Sequence, residues 1–123
     1  MAQFILMFGL DKKKEVAVRS AATVIGATAV DVPRKDYSQK LGALAKVQGF
    51  SREKTVYNGP DFPAEMLVFS GMNSAQVDAF LAEYKKQGVP AIGLKAIVTP
   101  HNVFWTPEAL FKELLREHMQ LKP

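Results

Sequence analysis

Met66-Leu67-Val68-Phe69-Ser70-Gly71-Met72-Asn73 runs directly into residues 74–88, SAQVDAFLAEYKKQG. The first four residues are apolar without a break, as a strand buried on both faces requires. Ser70-Gly71 is a turn signal. Asn73 is then a good helix N-cap with Gln76 three residues on, the capping-box spacing, and Met72 and Val77 occupy the two positions of a hydrophobic staple. Val77, Phe80, Leu81 and Tyr84 recur at i, i+3, i+4 and i+7, which places them on one buried helix face. Gly88 and Pro90 stop the helix.

The same layout recurs along the chain. Phe4–Phe8 reads as a strand that leads through Gly9 into a helix starting after Asp11, burying Val18, Ala21, Ala22 and Ile25 and ending at Gly26. A strand is predicted over Thr28–Val32. It is followed by a helix from Asp36, with Gln39 three on, that buries Tyr37, Leu41, Leu44 and Ala45 and stops at Gly49. After the third helix comes a strand over Ile92–Val98, then a helix with Thr106 as N-cap, Pro107 at its first position and an apolar stripe of Leu110, Phe111, Leu114 and Leu115. The chain thus reads as a single α/β domain of two β-α-β-α halves, residues 1–48 and 65–120. A linker, residues 49–64, joins them; its Phe50, Tyr57 and Phe62 imply that part of it packs.

The first and third strands are apolar throughout and belong at the middle of one four-stranded sheet. Asp31 and Lys95 interrupt the second and fourth, which suits edges. A parallel sheet in order 2-1-3-4 meets these conditions with right-handed crossovers. A ferredoxin-like α+β sandwich in order 4-1-3-2 is the alternative.

Composition narrows the function classes. The 123 residues suit one domain, and 48% hydrophobic with 23% charged residues excludes a disordered chain. Absent cysteine removes disulfides, thiolate metal sites and cysteine nucleophiles together, and it fits a reducing, cytoplasmic setting. No segment approaches the roughly 18 apolar residues of a membrane helix, and no signal peptide is visible. A net charge of +4 permits anionic partners without demanding them.

In an open parallel sheet, ligands bind beyond the carboxyl ends of the strands where the winding reverses. That crevice would be rimmed by Gly9-Leu10-Asp11-Lys12 and Ser70-Gly71-Met72-Asn73, both leading into helix N-termini. Asp11, Lys12, Ser70 and Asn73 are therefore candidate ligand-binding residues. Lys12-Lys13-Lys14 opposes the helix dipole, which a bound anion would explain; a solvated, salt-screened surface explains it too. Neither rim carries a phosphate-loop or dinucleotide pattern.

The stretch from Lys95 to Pro107 is the most distinctive. It holds the only tryptophan and one of two histidines. On a functional reading, Lys95, Thr99, His101 and Asn102 line a polar pocket against Trp105. On a structural one, Trp105 staples onto Leu110, Pro100 and Asn102 shape the turn, and Lys95 snorkels along an edge strand. His101 could serve as a general base, but no orienting carboxylate or nucleophile accompanies it. His118, beside Glu117, reads as solvated. The residues supply no catalytic constellation, no metal-ligand set and no indication of a cofactor.

Residues 65–119 resemble the bacterial family known as domain of unknown function 3783. The resemblance rests on Met66-Leu67-Val68-Phe69, the helix ending before Gly88, the string Lys95-Ala96-Ile97-Val98-Thr99-Pro100 with Asn102 and Trp105-Thr106, and the stretch from Glu113 to His118. It implies a bacterial source and assigns no activity or catalytic residues.

These readings together point to a non-enzymatic binding or regulatory module for a small anionic ligand or a protein partner. An enzyme using Lys95 and His101 in one pocket is the first alternative. An RNA-binding domain using Tyr57, Phe104 and Trp105 as stacking platforms is the second. An exposed edge strand would also allow a homodimer.

Overall fold

The computed structural model describes residues 3–120, with side chains up to residue 117. Strands β1 (Phe4–Phe8) and β3 (Met66–Ser70) form the centre of one sheet, flanked by β2 (Thr28–Asp31) and β4 (Leu94–Ile97), in the order β2-β1-β3-β4. This is the expected order, with both uninterrupted apolar runs inside; Ile5 to Phe8 and Met66 to Ser70 are buried throughout. The ferredoxin-like order is not adopted.

Strand direction departs from the expectation. β1 pairs with β2 in parallel and β3 with β4 in parallel, but β1 and β3 are antiparallel, Phe4 opposite Ser70 and Phe8 opposite Met66. The sheet is mixed, not parallel. The cause lies in the chain between β2 and β3. The helix expected from Asp36 to Gly49 is only a 3-10 turn at Arg34–Asp36 and one helical turn, α2 (Leu41–Leu44). At about 1.5 Å per residue, four residues of helix cannot traverse a strand length. The connection instead leaves and re-enters at one end of the sheet: the Val32 amide donates to the Met7 carbonyl, and β3 begins opposite Phe8.

A consequence is that the long helices share a layer. Each half is a β-α-β unit with parallel strands, a connection that is right-handed almost without exception. With their central strands antiparallel, the two units place α1 (Lys12–Ile25) and α3 (Ser74–Lys85) on the same face. Strand alternation sorts the core accordingly. Ile5, Met7, Leu67 and Phe69 meet Val18, Ala21, Ala22, Phe80 and Tyr84 of those helices. On the other face Leu6, Phe8, Met66 and Val68 meet Tyr37, Leu41 and Leu44, together with Leu110 and Phe111 of α4 (Pro107–Gln120).

Local capping follows the sequence closely. Asn73 Oδ1 accepts from the Gln76 amide at 2.9 Å while the Asn73 amide donates to Gln76 Oε1 at 2.8 Å. Asp11 caps α1 by accepting from the Lys14 amide, and Gly26 ends it at a φ of 79°, in the left-handed region that favours glycine. The Asp36–Gln39 capping box does not form. Asp36 pairs with Arg52 at 2.7 Å, and Gln39 turns to the linker.

The linker is part of the second core layer. Phe62 is stacked between Tyr37, at 4.1 Å between ring centroids, and Phe111, at 4.3 Å. Phe50 lies over Gly42, where an added Cβ would stand 2.6 Å from its ring. The Tyr37 hydroxyl donates to Asp61 at 2.9 Å. Burial, and then this bond, push its pKa well above the ordinary value.

The fold thus favours the neutral phenol. That stability is present in full below about pH 10, where a free tyrosine titrates, and it is lost at higher pH as the unfolded chain ionises while the native one holds its proton. The unfolding free energy from urea denaturation is expected to fall above about pH 10, by up to about 1.4 kcal/mol per pH unit for this group. Tyr37→Phe should flatten that decline; an equally steep profile in the variant would refute the assignment.

Candidate functional site

The antiparallel centre separates the two loops that sequence reasoning placed side by side. Gly9 follows the end of β1 that faces Met66, whereas Ser70 lies opposite Phe4 at the other end. The crevice expected between them is therefore not formed. Ser70 is buried within the sheet, and the Asp11 and Asn73 side chains occupy the first amides of their own helices. Lys12 is exposed at the start of α1.

The segment after β4 closes on itself. Thr99 Oγ1 accepts from the amides of His101 and Asn102, Asn102 Oδ1 accepts from the Thr99 amide, and Asn102 Nδ2 donates to the Ile97 carbonyl. Thr99 and Asn102 thus spend their polar groups shaping a turn that continues into a 3-10 turn at Asn102–Phe104. Trp105 packs in the second core layer with Leu110, as the staple spacing requires, and its carbonyl accepts from the Leu41 amide at 2.8 Å. His101 is exposed and meets the Trp105 ring edge-on at 5.4 Å.

Lys95 goes the other way. Its neighbours Leu94 and Ala96 face the α4 layer, so alternation along β4 sends Lys95 toward α3. The polar pocket expected from Lys95, Thr99, His101 and Asn102 does not assemble, and Lys95 and His101 are not brought together as the enzymatic alternative needs. For the RNA-binding alternative, Tyr57 is packed on Tyr37 and Trp105 is half-buried, leaving Phe104 alone of the three exposed. His118 falls beyond the described side chains.

What Lys95 does reach is a groove of about 370 Å³ between α3 and the segment leading into β4. Leu67, Leu81, Val89 and Ile92 supply apolar wall, and Lys85 and Lys95 supply charge. Lys95 Nζ donates to the Ile92 carbonyl at 2.6 Å, which holds the ammonium beside the groove. Tyr84, also in the lining, donates to the Pro90 carbonyl at 2.7 Å and so fixes the groove's end. Burial is the main cause of a raised Tyr84 pKa, partly opposed by nearby Lys14. The size is within the usual range for small-molecule sites, and an apolar wall with a few placed polar groups is their usual chemistry.

A second hollow, of about 470 Å³, lies against β2 and includes Asp31, Lys46 and the paired Asp36 and Arg52. Among the described residues no cluster of three or more histidine or acidic side chains could hold a metal ion, and no helix is long and apolar enough to cross a membrane.

The string Lys95-Ala96-x-x-Thr99-Pro100-x-Asn102-x-x-Trp105-Thr106 is thus an edge strand, a self-bonded turn and a capped helix start. Residues 65–121 match a domain of unknown function, DUF3783. The DUF3783 segment comprises β3, α3, β4 and α4, and it carries every lining residue of the Lys95 groove. No curated protein and no solved structure matches the chain.

Of the groove residues, sequence reasoning singled out only Lys95 as a ligand contact. Leu81 and Tyr84 read as positions on the buried face of the third helix. The available signal was the Val89-Pro90-Ala91-Ile92 run after Gly88, apolar yet too proline-interrupted to be strand.

Proposed function

We propose that this chain is a cytoplasmic, non-enzymatic binding module whose ligand is a small anion with an apolar body, held in the groove between α3 and β4. The observation that carries this reading is Lys95: an ammonium fixed to a backbone carbonyl at the rim of an apolar groove. The bond to Ile92 uses one of its three N–H donors, so two remain for a carboxylate or phosphate oxygen. Lys85 adds a second positive charge, while Leu81, Val89 and Ala91 offer surface to an alkyl or aryl body above the buried Leu67 and Ile92.

Octanoate is a suitable probe. Titrated into ¹⁵N-labelled protein, it should shift the amide signals of Leu81, Tyr84, Ile92 and Lys95. Shortening it to hexanoate, by two methylenes, should weaken binding by up to about fifteenfold, since each buried methylene contributes about 0.8 kcal/mol. Lys95→Met should weaken octanoate by about tenfold while leaving the melting temperature within a few degrees, as loss of one charge-assisted contact predicts. Octanol binding as well as octanoate, or shifts lying elsewhere in the protein, would defeat the proposal.

A further inference from the structure

The antiparallel sheet makes α1 and α3 antiparallel as well, so the start of α1 lies beside the end of α3. Two lysine clusters far apart in sequence, Lys12-Lys13-Lys14 and Lys85-Lys86, thereby come to one end of the molecule. Their partners differ. Lys14 forms an ion pair with Glu65 at 2.5 Å, and Lys86 pairs with Glu83 at 3.0 Å. Lys12 and Lys13 make no ion pair among the described residues; with Val16, Ala17, Gln87 and Val89 they line a shallow hollow of about 310 Å³. Val89 also lines the groove of Lys85 and Lys95. The two depressions thus share one valine, and each has a pair of lysines in its lining. Val16 leaves 52% of its surface in water there, an apolar contact without a partner.

We infer that the ligand of the groove is elongated and two-headed: one anionic group lies at Lys85 and Lys95, an apolar spacer crosses Val89, and a second anionic group lies at Lys12 and Lys13. This rests on the reading of the groove given above and extends it to the half of the chain outside the DUF3783 segment. The Asp11 carboxylate already accepts the Lys14 amide and the Glu65 carboxylate already pairs with Lys14, so the acidic groups near this end are engaged. The second head is held by ammonium groups, not by helix amides. Because these lysines are exposed, their contribution is modest and salt-sensitive.

The test compares mono- and dicarboxylates of equal chain length, from octanoate and octanedioate to hexadecanoate and hexadecanedioate, by calorimetry and amide shifts. At a matching length the dioate should bind roughly three- to tenfold more tightly than the monoacid at low ionic strength, the gain expected from exposed ion pairs. Its shifts should extend from Lys95 to Lys12 and Val16. The Lys12→Ser, Lys13→Ser double variant should lose that advantage and keep wild-type affinity for octanoate. A dioate no tighter than its monoacid at every length, or an advantage that survives in the double variant, overturns the two-headed ligand. Failure of octanoate itself to bind the groove would instead strike the underlying proposal.

Discussion

Phe62→Ala should destabilise the protein by about 3 kcal/mol and lower its melting temperature by roughly 10 °C. The residue sits in what reads as a linker, yet its ring lies between Tyr37 and Phe111, nearly parallel to both at 13° and 3°. Large-to-small changes at buried aromatic sites cost about 3–5 kcal/mol, and stacked pairs contribute about 0.5–1.5 kcal/mol each beyond buried area. Phe62 is only half-buried, which argues for the lower end of that range. Together with the Tyr57 hydroxyl, which donates to Glu108, it ties the connection after α2 to α4, so its loss should loosen Asp61 and with it the hydrogen bond to Tyr37. Chemical denaturation of the variant measures the effect. A change below about 1 kcal/mol, the ordinary outcome of a surface substitution, would mean that the linker is not part of the core.

A second large effect is expected at Gln39, which is 2% exposed. Its amide holds one residue from both sides. Nε2 donates to the Glu53 carbonyl at 2.6 Å, and Oε1 accepts from the Glu53 amide at 2.7 Å. The geometry imitates a pair of sheet hydrogen bonds in a stretch that has no strand. Gln39→Leu conserves approximate volume but leaves the Glu53 backbone groups without that partner. Each unsatisfied buried group costs about 1–3 kcal/mol, and partial access to water at Glu53 reduces the sum to roughly 2–4 kcal/mol. Gln39→Glu should be no milder, since a carboxylate oxygen would face the Glu53 carbonyl. Hydrogen exchange supplies a local check: the Glu53 amide should be protected in the wild type and should exchange much faster in Gln39→Leu. Unchanged protection would show that the amide is held by something else.

Particular elements show why the fold was largely legible and the site was not. The α3 cap, staple and buried stripe all depend on residues within a few positions of one another, and each occurs as read. The central places of β1 and β3 follow from their apolar content alone. Gln39 illustrates the opposite case. Three residues beyond Asp36 it has the spacing of a capping box, but Asp36 and Gln39 both find partners in residues 52–53, and the expected helix shrinks to two short turns. For Lys95, strand alternation predicts that it opposes Leu94 and Ala96, but which layer receives it depends on how the two halves are joined.

The amino-acid order by itself determined the long helices with their caps at Asp11 and Asn73, the central places of β1 and β3 and the residues with two buried faces, because these depend on short-range spacing and hydrophobicity. The direction of β3 against β1 was decided only in three dimensions. A chain of two like halves satisfies the same periodicity with its centre parallel or antiparallel, and the choice falls to long-range packing of residues 32–65 on the second face. That choice moved the loops after β1 and β3 to opposite ends of the sheet, and it brought Lys12 and Lys13 to the valine they share with Lys85 and Lys95.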